Sequence, residues 1–276
     1  MKKVRDYMSR NVVFVRPTDT LGKARNLMLE KRIRRLVVVD GGKVVGIITA
    51  FDIAKALSRR GAPWRWRNPE NSLVERFMTT NPVTVEPESS VFTAAELMHD
   101  HKVGGLPVVK NGSLEGIISE TDVTKFYAEN LHGKFRVREL MDKDYVTVPP
   151  NTNLKRVAKL LTKDRKGRIL VVDSSGKLLG IVTEGDLALW EPSLARKYVL
   201  IPSRTGRISK DVRAKTVDQI MRRVDVTLST EDDASKAARM LLEWELNAFP
   251  VIGNSGDIVG VIDKKSIVRG VVYASK

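Results

Sequence analysis

The chain has 276 residues, 42% hydrophobic and 29% charged, the make-up of a folded globular protein rather than a disordered one. It has no cysteine, which excludes disulfides, thiolate metal sites and a cysteine nucleophile. Forty-eight Lys and Arg against 33 Asp and Glu leave a net charge of +15, which points to an anionic partner before any fold is known.

No apolar run is long enough to span a bilayer, and the basic start "MKKVRDYMSRNVV" lacks a following hydrophobic region, so a cytoplasmic protein without membrane contact is expected. The first elements are "VRDYM" at 4–8 and a short alternating run, "VFVRP", at 13–17. A hairpin, "RLVVVDGGKVVGIIT", and a closing helix, "FDIAKALSRR", follow. Residues 58–70, "SRRGAPWRWRNPE", are broken by glycine and two prolines and read as a loop.

The same order then recurs. "VERFM" (74–78), "VTVEP" (83–87) and "GLPVVKNGSLEGIIS" form a second copy, with apolar residues at helical spacing over 89–100. "VRELM" (137–141), "VTVPP" (146–150) and "RILVVDSSGKLLGIVT" form a third. "VDQIM" (217–221), "VTLST" (226–230) and "AFPVIGNSGDIVGVID" form a fourth. The equivalent Met8, Met78, Met141 and Met221 are 70, 63 and 80 residues apart. The short step holds the boundary between two halves, and the long one holds a basic insertion at 193–215.

This β-α-β-β-α unit, ending each time in "G-(I/V)-(I/V)" and in three copies in "(S/T)-x-x-D", resembles the CBS domain over nearly the whole chain. The resemblance implies an α/β (α+β) fold of four repeats paired into two Bateman modules. Module 1 is expected at 1–130, with repeats at about 4–60 and 71–130. Module 2 is expected at 131–276, with repeats at about 137–192 and 216–276. Four repeats in one chain suit a monomer or a homodimer of such modules, and a single glutamine (Gln219) with no cysteine suits an archaeal or thermophilic source.

In the family, "(S/T)-x-x-D" binds adenine nucleotides, so the resemblance places AMP, ADP or ATP, as a regulatory ligand, at Thr49/Asp52, Ser119/Asp122 and Thr183/Asp186. A helix N-terminus with a hydroxyl suits phosphate, and the acid suits ribose hydroxyls. The competing reading is a capping box, which needs the same residues and no ligand. The fourth copy, Asp263 to Ser266, keeps a cap but not the acid at the ribose position. By the resemblance, Val13, Val83, Val146 and residues 105–107 would bracket adenine; core packing explains them as well.

No catalytic constellation or metal cluster is expected: the three histidines are His99, His101 and His132, and no nucleophile motif is present. The charge excess is shared, +6 over residues 1–130 and +9 over the rest, but is locally dense. Arg59, Arg60, Trp64, Arg65, Trp66 and Arg67 mix cations with rings that can stack on unpaired bases. Arg196, Lys197, Arg204, Arg207, Lys210, Arg213 and Lys215 can follow a phosphate backbone. "KRIRR" (31–35), "KDRKGR" (163–168) and Arg222–Arg223 are further clusters. The expectation is a nucleotide-responsive regulatory factor that also binds RNA, the ribosome being the abundant target, and restrains translation when energy is low. The alternatives are a nucleotide-sensing subunit controlling a partner enzyme or transporter, and a DNA-binding regulator.

Overall fold

The computed structural model describes residues 2–58, 71–162, 167–189, 215–244 and 246–275. It is a mixed α/β structure of four small sheets flanked by helices. The first repeat runs β1 (Phe14–Val15), α1 (Leu21–Glu30), β2 (Arg35–Asp40), β3 (Lys43–Thr49) and α2 (Ala50–Ser58). The second adds β4 (Thr79–Thr80), α3 (Val91–Asp100), β5 (Gly105–Lys110), β6 (Ser113–Ser119) and α4 (Glu120–Asn130). The third contains α5 (Val137–Leu140), β7 (Thr147–Val148), α6 (Leu154–Thr162), β8 (Arg168–Val172), β9 (Leu178–Thr183) and α7 (Glu184–Ala188). The fourth contains β10 (Arg222–Arg223), β11 (Leu228–Ser229), α8 (Ala234–Glu243), β12 (Ala248–Ile252), β13 (Ile258–Asp263) and α9 (Lys264–Ala274).

Local chemistry explains the recurrence. Thr20 and Ser90 cap α1 and α3 by accepting from the backbone of Lys23 and Thr93, and Asp233 caps α8 through Ser235. The β2–β3 and β5–β6 hairpins close on two residues with positive φ, Gly41–Gly42 and Asn111–Gly112, as a right-twisted two-residue turn requires. In the third repeat the turn is longer, and the Asp173 carboxylate accepts from the backbone of Ser175 and Lys177. Each hairpin shifts register at the same place, after Val38, Val108, Val171 and Val251.

Each sheet is completed by the opening segment of a different repeat. β4 pairs with β3 and β10 with β9, while Ser9 bridges Ile117 and Asp142 bridges Val261. The exchange is reciprocal within repeats 1 and 2, where Val4 N–H donates to Ser89 O and Val74 N–H to Asp19 O. It is repeated within repeats 3 and 4 by Val137 N–H to Asp232 O and Val217 N–H to Thr152 O. The glycine before the last strand residues, Gly46, Gly116, Gly180 or Gly260, lies under the methionine of the incoming segment.

The closing helices pack across the two pairs: α2 lies on α7, and α4 lies on α8 and α9. Repeat 1 therefore faces repeat 3 and repeat 2 faces repeat 4. Apolar residues of repeats 2 and 4 merge into one core around Tyr127, Phe126, Phe249 and Ile267, while repeats 1 and 3 have smaller cores of their own. Among the described residues no helix is long and apolar enough to cross a membrane.

Candidate functional site

The four strand-to-helix junctions are built alike. Thr49 N–H and Oγ1–H both donate to Asp52 Oδ2, at 2.9 and 2.6 Å. Ser119 does the same to Asp122 Oδ2, both at 2.7 Å, and Thr183 to Asp186 Oδ2, at 2.8 and 2.6 Å. These are capping boxes, so the structural reading of the motif holds in all three repeats. It does not exhaust the acid, because each cap uses one carboxylate oxygen and leaves the other for a second role. In the fourth repeat the pair is exchanged: Ser266 N–H and Oγ–H donate to Asp263 Oδ1, at 2.7 and 2.9 Å.

Among the described residues the junctions open on a shared cavity of about 1910 Å³, lined by all four repeats. Thr49, Asp52, Ser119, Asp122, Thr183 and Asp186 all line it. So do Val13, Val83 and Gly105, whereas Val146 packs with the core of repeat 3 and Leu106 is buried.

The cavity wall also carries cations, among them Arg34, Arg35, Arg168 and Arg222 from the basic clusters at 31–35, 163–168 and 222–223, together with Lys264. Arg34 reaches across from repeat 1 to donate to Thr183 Oγ1 at 3.3 Å. It does so only because residue 185 is glycine: a Cβ there would stand 2.7 Å from the Arg34 guanidinium carbon. Arg35 occupies the space left by Gly104 and Gly105 and pairs with Glu120 at 3.9 Å. Lys264 donates to Thr121 Oγ1 at 2.9 Å, joining repeats 4 and 2. Arg168 is 9% exposed and bridges Asp142 and Asp263, both at 2.7 Å. Arg222 donates its Nε to Asp186 Oδ1 at 2.8 Å.

Burial shifts the titration of Asp122, Glu184 and Lys264, which all line the cavity. Burial pushes the Asp122 carboxyl up, against the Ser119 hydrogen bonds and Arg35, which pull it down. Burial likewise raises Glu184, opposed by Arg34. Burial brings Lys264 down to about 8, helped by the nearby positive charges of Arg34 and Arg35. The arrangement offers hydroxyls, helix N-termini and cations together with carboxylates, which suits a ligand that is anionic at one end and rich in hydroxyls at the other.

Of the residues expected to meet nucleic acid, Lys215 is exposed, and its backbone N–H donates to Gln219 Oε1. Arg59, Arg60, Trp64, Arg65, Trp66, Arg67, Arg196, Lys197, Arg204, Arg207, Lys210 and Arg213 lie outside the described residues. His99 and His101 are exposed, and His132 shares a hydrogen bond with Ser235. Among the described residues no three His, Asp or Glu side chains are grouped so that they could hold a metal ion.

Sequence reasoning missed the inward arginines. A usable signal was present at the start of the hairpins, where Arg34–Arg35 in one repeat stands at the rank of Gly104–Gly105 in the next. Large residues opposite an absence of side chain are how two copies of one unit interlock.

A four-repeat fold of exchanged β-α-β-β-α units around a shared charged cavity is the CBS architecture. The CBS domain model matches residues 4–59, 74–129, 137–192 and 217–273, and the chain belongs to this family. It is 28% identical over 273 residues to the protein MJ1225 of Methanocaldococcus jannaschii, covering 95% of each chain. The crystal structure of MJ1225, described as a candidate archaeal homolog of g-AMPK, superimposes with a TM-score of 0.81 at 26% identity, over 97% of this chain and 99% of that one. A conserved protein of Pyrococcus horikoshii has the same fold, with a TM-score of 0.66 at 22% identity, over 98% of this chain and all of that one. Inosine-5'-monophosphate dehydrogenase of Korarchaeum cryptofilum is 37% identical over 113 residues, which are 41% of this chain and 23% of that enzyme.

Proposed function

We propose that this chain is a regulatory protein that binds adenine nucleotides at its strand-to-helix junctions and passes their presence to a partner. The observation that carries this reading is the double role open to Asp122. Its Oδ2 caps α4, the residue lines the cavity, and among the described residues it makes no ion pair. A carboxylate so placed can accept from ribose hydroxyls, while Arg35 and Lys264 line the same cavity to meet phosphate. Thr49 and Asp52 repeat the cap in the first copy, and both line the cavity. Similarity to MJ1225, described as a candidate homolog of g-AMPK, agrees with a regulatory rather than catalytic role. On this reading residues 1–130 and 131–276 act as two Bateman modules supplied by a single chain.

A nucleotide that binds the folded state raises its melting temperature, by an amount set by concentration over Kd. AMP, ADP or ATP should raise Tm where UTP does not; no shift with any adenine nucleotide sinks the reading. The charge of +15 supports a second partner, RNA or the ribosome, with nucleotide modulating the contact. Co-sedimentation with ribosomes that is lost between low and high salt would support it, and a protein that stays in the supernatant at low salt would exclude it.

A further inference from the structure

The acids of the three motif junctions look equivalent in sequence but do not have equivalent neighbours. The decisive position is the residue after the incoming methionine, which the strand exchange sets beside the junction of the other repeat. Ser9 holds that position against repeat 2, bridging Ile117, and Thr79 holds it against repeat 1, paired with Ile47. Against repeat 3 it is Arg222, paired with Ile181 at the same rank. Two short hydroxyl side chains are thus replaced by one long cation.

The consequence is read at Asp186. Its Oδ2 takes both bonds of the cap from Thr183, and its Oδ1 takes the Arg222 Nε at 2.8 Å. With Arg222 in place the Asp186 side chain is 7% exposed, while Arg222 itself is 46% exposed and so lies over it like a lid. The other half of the junction is filled as well, because Arg34 is bonded to the Thr183 hydroxyl over Gly185. Asp263 of repeat 4 is bound in the same manner by Arg168. Both cap acids of the second pair of repeats are ion-paired to the chain's own arginines, whereas Asp122 is not.

We infer that Arg222 and Arg34 stand in for a ligand at the third junction, so that nucleotide binds in the first pair of repeats and the second pair is self-filled. This rests on the nucleotide reading of Asp122 and narrows it: Asp186 is a positioning residue for Arg222, not a ligand-binding one. A guanidinium is a permanent, bidentate-capable donor to a carboxylate, so a ribose must displace a charge-assisted bond to enter. Replacing Arg222 by the residue found at its counterpart in repeat 2 removes that barrier.

The test is a calorimetric titration with ATP of wild type, Arg222→Thr and Asp186→Asn. Wild type and Asp186→Asn should give the same stoichiometry, and Arg222→Thr should bind one more nucleotide. Loss of a site in Asp186→Asn overturns the inference even if Arg222→Thr fails to fold. Equal stoichiometry in a folded Arg222→Thr and a binding wild type overturns the inference alone. No binding in wild type with a site appearing in Arg222→Thr supports the plug and removes the reading of Asp122. No binding in any of the three overturns both.

Discussion

Met8 of the first repeat lies against Gly116 of the second, its sulfur 2.7 Å from where a Cβ on Gly116 would stand. The reciprocal contact joins Met78 to Gly46 at the same distance, and Met141 and Met221 meet Gly260 and Gly180 at 2.8 and 3.1 Å. The methionine and the glycine that mark every repeat are therefore two sides of one joint. Each repeat carries the knob for its partner and the socket for its partner's knob.

Gly116→Ala should then destabilise the chain, because the added carbon also meets the Ser9 carbonyl 3.0 Å away and cannot be relieved by the methionine alone. An overpacked joint of this kind costs about 1–3 kcal/mol. Denaturant unfolding would show it as a lowered midpoint, and Gly112→Ala, with open space around its Cβ but a φ of 80°, reports the cost of backbone strain alone for comparison.

Tyr127 is fully buried where α4 meets α9, and its hydroxyl has no hydrogen-bond partner among the described residues. Burial, with Asp233 and Glu139 nearby, holds its ionisation far above the ordinary range. An unpartnered buried hydroxyl is a cost without a return, so Tyr127→Phe should be neutral or stabilising, by up to about 1–3 kcal/mol. Gly270→Ala should do the opposite by about 1–3 kcal/mol, since its Cβ would stand 2.6 Å from Leu140 and 3.0 Å from the Tyr127 ring. Thermal melts of the two variants should move in opposite directions, or the first not at all; a clear loss in Tyr127→Phe contradicts this packing.

Much of this was legible in the sequence, and what was not has a physical reason. The four copies show because hairpin turns need particular residues at fixed places, such as Asn111–Gly112, and helices need caps such as Ser90. The junction pairs show because the i,i+3 spacing of Ser119 and Asp122 is set by one helical turn. The destination of Arg34, Arg35 and Arg168 did not show, because a cation at a strand end reads as solvated unless the facing repeat is known. Arg222 is 36 residues from Asp186, and only the exchanged strand brings them together. The cavity lining separates Val13 and Val83 from Val146, which periodicity cannot do.

Lys264 should make stability depend on pH at the alkaline side. Its folded value of about 8 lies below the ordinary 10.5, so between the two the unfolded chain holds a proton that the folded chain has released. Stability then rises with pH across that window, and the cost of keeping Lys264 charged is fully present below it. Lys264→Met should be more stable than wild type near pH 7, on the order of 1–3 kcal/mol, with the advantage shrinking towards pH 10. A pH-independent difference between the two would contradict the assignment.

On the proposed function, Asp122 both caps α4 and receives the nucleotide. Asparagine at that position keeps an oxygen for the Ser119 N–H and hydroxyl but loses the charge, so cap and ligand can be separated. Equilibrium titration of wild type and Asp122→Asn with AMP, ADP and ATP, alongside their melting temperatures without ligand, measures both. The two proteins should melt alike without ligand, and Asp122→Asn should lose about 10–100-fold in affinity at one site, the worth of a lost charge-assisted bond. Superimposable isotherms from the two proteins would contradict it.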